Sequence, residues 1–158
     1  MIFQGQEFLE DKWFADTDPL DWSRCERYAG IVQLYRDLIR LRRNWFDNTR
    51  GLQGEHVHVH HINNVDKVLA MHRWHLGGQG DDVVVVFNFS SRSFDGYRVG
   101  FPHGGAWQLR ANTDASVYDN DFGETPAFDV DAERYDYDGF EHAGTVSLPP
   151  YSALVFSQ

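Results

Sequence analysis

The sequence predicts a mainly β fold: an antiparallel Greek-key β-sandwich over residues 51–158, preceded by a strand–loop–helix unit over residues 1–50. Three observations predict it. A single apolar stripe at helical spacing occupies residues 24–43. Everything after Gly51 alternates short β-branched or aromatic runs with turn residues. No second helical stripe separates those runs, and short strands without crossover helices pair antiparallel in packed sheets.

The elements follow in order. Ile2-Phe3 is a short β-branched and aromatic run that meets Gly5, after which acids alternate with tryptophans as far as Trp22. That composition suits a strand running out into a binding loop, and such loops need a rigid scaffold. Ser23-Arg24-Cys25-Glu26 has the capping-box pattern, a hydroxyl followed three residues on by a carboxylate. It predicts a helix over 24–43. Ile31, Leu34, Tyr35, Leu38, Ile39 and Leu41 form the apolar face, widened by Val32 and Trp45, and Arg36, Arg40, Arg42 and Arg43 crowd the end where cations suit the helix dipole.

Arg50-Gly51 and Gly54 break the pattern. Strands are expected at 55–61, 68–75, 83–89, 97–101, 106–111, 145–148 and 152–156, separated by turn signals such as Asn63-Asn64, Gly77-Gly78, Asp95-Gly96 and Pro149-Pro150. Val83 to Val86 is a continuous apolar run, as a central strand covered on both faces requires. Residues 112–141, poor in aliphatics and rich in Asp, Tyr and Gly, read as a long ordered loop with at most one edge strand. No internal repeat or low-complexity segment is present.

Composition narrows the function classes. At 158 residues the chain suffices for one compact domain, or a small domain with an appendage. A formal net charge of −10 argues against nucleic acid and anionic membrane as partners, since both call for basic patches. An aromatic share of 15% in so acidic a chain points instead to a neutral ligand. Cys25 is the only cysteine, so no internal disulfide can form. No apolar run approaches the roughly 20 residues of a membrane helix, and residues 1–20 lack the basic and apolar regions of a signal peptide. A soluble, cytoplasmic protein is expected.

Two constellations invite metal readings. On a strand His56, His58 and His60 share one face, with His61 beside them, and three imidazoles can bind zinc or copper. Alternate side chains on a flat strand lie roughly 7 Å apart, wide for one tetrahedral ion, so a solvated edge-strand face is expected. Asp114, Asp119, Asp121, Asp129, Asp131, Asp136 and Asp138 suggest a calcium loop, but none fits the twelve-residue pattern with its glycine and terminal glutamate. No metal and no cofactor is expected. Trp107 with Tyr97, Tyr118, Tyr135, Tyr137 and Tyr151 offers rings for a surface sugar site or, more simply, for core packing.

A strand, a loop, one long helix and then a β-sandwich is the order of the last βα unit of a (β/α)₈ barrel followed by a C-terminal β domain. One βα unit cannot close a barrel. The chain is therefore expected to be the tail of a larger protein, with only Met1 ahead of the opening segment. Residues 2–9 are expected to be disordered or to make an intermolecular contact, giving a homo-oligomer through the orphan strand.

Phe3-Gln-Gly-Gln-Glu7, Trp13 and Leu20-Asp21-Trp22, followed by the Gly30–Arg42 helix, resemble the eighth-strand region of the α-amylase superfamily of glycoside hydrolases, and within it 1,4-α-glucan branching enzymes and their trehalose-forming relatives. Val83–Phe89, Tyr97–Pro102, Trp107, Asn112-Thr113-Asp114 and Pro149–Ser152 follow in that family's order. The resemblance covers nearly the whole chain, 127–143 least well. It implies the family's C-terminal type of β-sandwich, and a parent that cleaves α-1,4-glucan and transfers it to α-1,6 branches, with an α-amylase or trehalose-forming hydrolase as the other parent.

The resemblance also sets a limit. Members act through a carboxylate nucleophile, an acid/base glutamate and a third aspartate on earlier strands, the first two roughly 5 Å apart across the scissile bond. No segment of this chain resembles those motifs, so no catalytic residue is expected and the chain by itself should be inert. What remains is a substrate-binding set: Glu7 and Asp21 bordering the sugar site, Trp13 as a sugar platform, and Trp22 either there or as a core anchor ahead of the helix. The implied partner is an α-glucan such as glycogen, starch or a maltooligosaccharide. A stand-alone carbohydrate-binding sandwich is the alternative.

Overall fold

A computed structural model describes residues 2–13 and 15–158; Met1 lies outside the described residues. Among the described residues eight strands form one antiparallel ladder: β1 (His56–Asn63), β2 (Val68–Trp74), β3 (Val83–Asn88), β4 (Phe94–Phe101), β5 (Gly105–Asn112), β6 (Val130–Tyr137), β7 (Phe140–Leu148) and β8 (Ser152–Ser157). They lie in the order β1-β2-β3-β8-β5-β6-β7-β4. β5 turns the corner. Its first residues pair with β6 and its later ones, past a bulge between Leu109 and Ala111, pair with β8. The ladder thus folds into two layers, β1-β2-β3-β8-β5 and β6-β7-β4, with Greek-key crossovers between them.

The principal core fills the space between the layers. Val84, Val86, Leu154 and Phe156 project from the first layer, and Val99, Phe101, Val146 and Leu148 from the second. Trp107 stands at the corner, fully buried, its ring 5.1 Å from Phe101 and its Nε1 donating to His103 O at 3.0 Å. Alternation along β3 sends Val83 and Val85 the other way, against Leu41, Ala111 and Val155. That second, smaller core is roofed by the helix. The continuous apolar run in β3 is therefore covered on both faces, as its composition requires.

The helical region departs from expectation in two ways. It forms two pieces, α1 (Arg24–Arg27) and α2 (Ala29–Arg42), separated at Tyr28 (φ −114°, ψ 39°). The guanidinium groups of Arg24 and Arg27 lie 5.1 and 5.2 Å from the Tyr28 ring centroid. The capping box does not form. Ser23 has helical dihedrals, and its hydroxyl donates to Asp21 Oδ1 at 2.6 Å instead of to the helix. Just past the break, a Cβ on Gly30 would lie 1.9 Å from the Tyr118 carbonyl oxygen, so a glycine is what lets α2 meet the 113–129 loop.

Two strand expectations are corrected. Ile2-Phe3 is not a strand: residues 6–8 form a 3₁₀ turn, and Phe8 is buried at 1% exposure. The backbone bonds of Phe3 are local instead: Phe3 N donates to Gln6 Oε1 at 2.8 Å and Phe3 O accepts from Gln6 N at 2.9 Å, which turns the chain. β6, expected as a loop or edge strand, is an interior strand between β5 and β7. Its composition hid it, since only Val130 and Ala132 face the core while Asp131, Glu133, Arg134, Tyr135 and Asp136 are exposed. Asp138-Gly139 closes the β6–β7 hairpin with positive φ at both residues (55° and 82°), the left-handed pair that Asp-Gly favours. That dipeptide was the available signal.

Candidate functional site

The N-terminal segment folds over the start of α1 as a hydrogen-bonded loop. Its hub is Glu10. Glu10 Oε2 accepts from Asp21 N at 2.7 Å, and Oε1 accepts from Asp11 N at 3.2 Å and Lys12 N at 3.3 Å. These donors, the Asp21 amide foremost, hold the Glu10 carboxyl below its ordinary value. Asp21 in turn accepts from the Ser23 hydroxyl and amide, which lower its own pKa. Arg24 ties the loop to the helix through Asp11 Oδ2 at 3.1 Å and the Leu9 carbonyl.

This frame surrounds a cavity of about 220 Å³ lined by Phe3, Gln4, Gln6, Glu10, Lys12 and Trp13, among others. The Trp13 ring is 93% exposed and stands at its edge. Gln6 is partly engaged, its Oε1 accepting from Phe3 N at 2.8 Å. The lining combines an open indole face with amide, carboxylate and ammonium groups. It can therefore stack on the C–H face of a ring and exchange hydrogen bonds with hydroxyls.

Of the four residues singled out in the sequence, the structure brings only Trp13 to this cavity. Glu7 sits on the 3₁₀ turn, half-buried, with Oε2 shielded from water and no hydrogen-bond partner among the described residues. Asp21 holds loop backbone. Trp22 is not a core anchor: it is 65% exposed and lies tilted over Phe8, ring centroids 5.2 Å apart, as a lid on a small buried ring. Sequence reasoning missed Glu10, Lys12, Gln4 and Gln6. Nothing in the spacing says which of several neighbouring acids turns inward to accept from the backbone.

The histidine constellation divides. β1 is an edge strand with a bulge between Val59 and His61, and the bulge puts His60 and His61 out of simple alternation. His61 is buried and joins the layers, with Nδ1 2.9 Å from Asp138 Oδ1 and Nε2 2.9 Å from Tyr97 Oη. His60 packs against Phe140 at 4.9 Å and His58 at 6.1 Å, and neither ring nitrogen has a partner among the described residues. Burial pushes its pKa down to about 4. The expected solvated face is thus corrected for these two residues. Among the described residues, no group of three or more His, Cys, Asp or Glu side chains is arranged to hold a metal ion. In the acidic stretch, Asp114 accepts from Gly123 N and Asp129 from Leu109 N, so these acids brace backbone.

Fold and loop together define a two-layer antiparallel β domain with a helix on one face and an aromatic, acid-braced loop at the helix start. Residues 58–158 match the family described as Alpha amylase, C-terminal all-beta domain, and the chain belongs to that family. The chain is 30% identical over 169 residues to the 1,4-alpha-glucan branching enzyme GlgB of Corynebacterium diphtheriae, covering 99% of this chain and 22% of that protein. It is 31% identical over 161 residues to the enzyme of the same name from Mycolicibacterium paratuberculosis, covering 98% and 21%. The Burkholderia thailandensis enzyme is 32% identical over 162 residues, covering 99% and 19%. The chain thus spans about a fifth of the length of these curated relatives. An alpha-amylase from H. orenii shares the fold at a TM-score of 0.51 and 18% identity, covering 88% of this chain and 22% of that one. No described helix is long and apolar enough to cross a membrane.

Proposed function

We propose that this chain is the C-terminal part of an α-glucan branching enzyme, in which the 2–22 loop forms one wall of the glucan site and the β-sandwich supports it. One observation carries the reading: similarity to branching enzymes runs over 98–99% of the chain, so it includes the loop ahead of the matched β domain. In this reading the parent cleaves an α-1,4 linkage and transfers the glucan to an α-1,6 branch point, and it works in the cytoplasm on glycogen or a related α-glucan.

Trp13 supplies the stacking face. Gln4, Gln6, Glu10 and Lys12 supply donors and acceptors for hydroxyls, and Asp21 and Arg24 hold the loop in place. Glu7, whose Oε2 is shielded and without a partner among the described residues, keeps an acceptor for a group that the rest of the site would bring. Trp22 serves the loop by covering Phe8. No chemical step is assigned to this chain. Self-association, where it occurs, would use the exposed Ile2 and Phe3 side chains instead of a strand edge.

Titration with maltoheptaose tests the rim. Tryptophan fluorescence should change saturably in the native chain and not in Trp13→Ala. A flat titration to millimolar sugar removes the rim reading. Branching or hydrolysis by the chain that survives Glu7→Gln and Asp21→Asn would mark a contaminant.

A further inference from the structure

The fold removes most of the rings that the β domain offers for a surface site. Trp107 is fully buried and Tyr118 nearly so, whereas Tyr135 is 50% and Tyr151 73% exposed. The two exposed tyrosines stand in different surroundings. Tyr151 borders a cleft with Phe87, Phe89, Thr113 and Ala153 whose walls are almost wholly apolar. A polyol placed there would leave its hydroxyls without partners.

Tyr135 borders a cavity of about 220 Å³ on β4, β6 and β7, together with Arg98, Asp131, Glu133 and Thr145. The register places Arg98 opposite Thr145 and Glu133 opposite Ala143, so three adjacent strands hold the groups in fixed relation. The Arg98 guanidinium lies 4.3 Å from the Tyr135 ring centroid. It steadies one face of the ring while half of the residue's surface stays open. Apart from that contact, the side chains of Arg98, Asp131, Glu133 and Thr145 make no hydrogen bond or ion pair with other described residues. A donor fork, two carboxylates and a hydroxyl stand unspent around a half-exposed ring, whose other aromatic neighbour is Tyr137 at 6.4 Å.

We propose that this cleft is a second glucan-binding site, taking a short segment of α-1,4-glucan on the outward face of the sandwich, apart from the loop at residues 2–22. The chemistry selects a neutral polyol. Carboxylates accept its hydroxyl protons, the guanidinium donates to its oxygens, and the tyrosine ring takes a C–H face. A polyanion would meet Asp131 and Glu133 on a chain of net charge −10, and a cationic ligand would meet Arg98. The choice of α-glucan among neutral polyols rests on the proposed function; the position of the site does not.

Native gel electrophoresis of the full chain through glycogen tests the site, with circular dichroism as the check on folding. Tyr135→Ala should weaken retardation about tenfold, the equivalent of ~1.4 kcal/mol. Tyr135→Phe keeps the ring and should bind nearly as the native chain does. Tyr151→Ala, in the apolar cleft, should not differ from it. A native chain that runs unretarded at any glycogen concentration, or a folded Tyr135→Ala that is retarded as strongly as the native chain, overturns the proposal. Trp13→Ala separates the two sites. If it alone abolishes retardation, the second site is overturned and the rim reading stands. If Tyr135→Ala abolishes retardation and Trp13→Ala leaves it unchanged, the second site stands without the rim.

Discussion

Replacing His60 by leucine should make this protein less sensitive to acid. The imidazole is packed beside Phe140, both ring nitrogens lack a partner among the described residues, and burial above all pushes its pKa from the ordinary 6.5 down to about 4. The folded chain therefore binds fewer protons at this residue than the unfolded chain does. The neutral ring's contribution is fully present above pH 6.5 and is lost as the pH falls from there toward 4. Across the whole window the loss is at most about 3 kcal/mol, and about 2 kcal/mol of it falls between pH 8 and pH 5. Residual exposure of the ring reduces that to roughly 1 kcal/mol.

Urea unfolding of the native chain and His60→Leu at pH 8 and pH 5 measures the effect. Every other titrating group is shared by the two proteins and cancels in the double difference. Asp82 acts outside the window. Burial raises its pKa, but the hydrogen bonds from His72 and the Gly78 amide outweigh that and leave it lowered, so its contribution is lost only as the pH falls below about 3.8. The native chain should lose roughly 1 kcal/mol more than the variant on going to pH 5. Equal losses in the two proteins would refute the argument that His60 is buried as a neutral ring.

Two further substitutions probe the packing. Gly30→Ala places a methyl group 1.9 Å from the Tyr118 carbonyl oxygen, and separating α2 from that loop should cost about 1–3 kcal/mol in urea unfolding; an unchanged midpoint would show that the approach is not that close. Trp107→Ala empties the corner of the sandwich, where the ring is fully buried against Phe101, and should cost about 3–5 kcal/mol, read by the same unfolding curves.

Periodicity made the helix, seven of the eight strands and the doubly covered β3 legible in the sequence. β6 escaped because its core-facing residues are only Val130 and Ala132, too few to register as an alternating run. The break at Tyr28 and the unused capping box escaped for a related reason. Ser23 has a competing acceptor two residues back in Asp21, and its hydroxyl donates there. At the candidate site Trp13 was legible as an exposed aromatic among acids. Glu10 was not, since several acids compete in that stretch and only the folded loop shows which one receives the Asp21 amide.

The sequence by itself determined the fold class, the resemblance to an α-glucan enzyme family and the absence of that family's catalytic carboxylate motifs from these residues. Those properties reside in spacing and residue type, which are local and survive in the linear chain. Only the tertiary structure decided which groups are spent and which remain available. It buried Trp107, left Tyr135 open under Arg98, and turned Glu10 toward backbone. It also left the Asp131 and Glu133 carboxylates free among the described residues. Burial and hydrogen-bond partnership depend on residues distant in sequence that the fold brings together, so no local pattern could have assigned them.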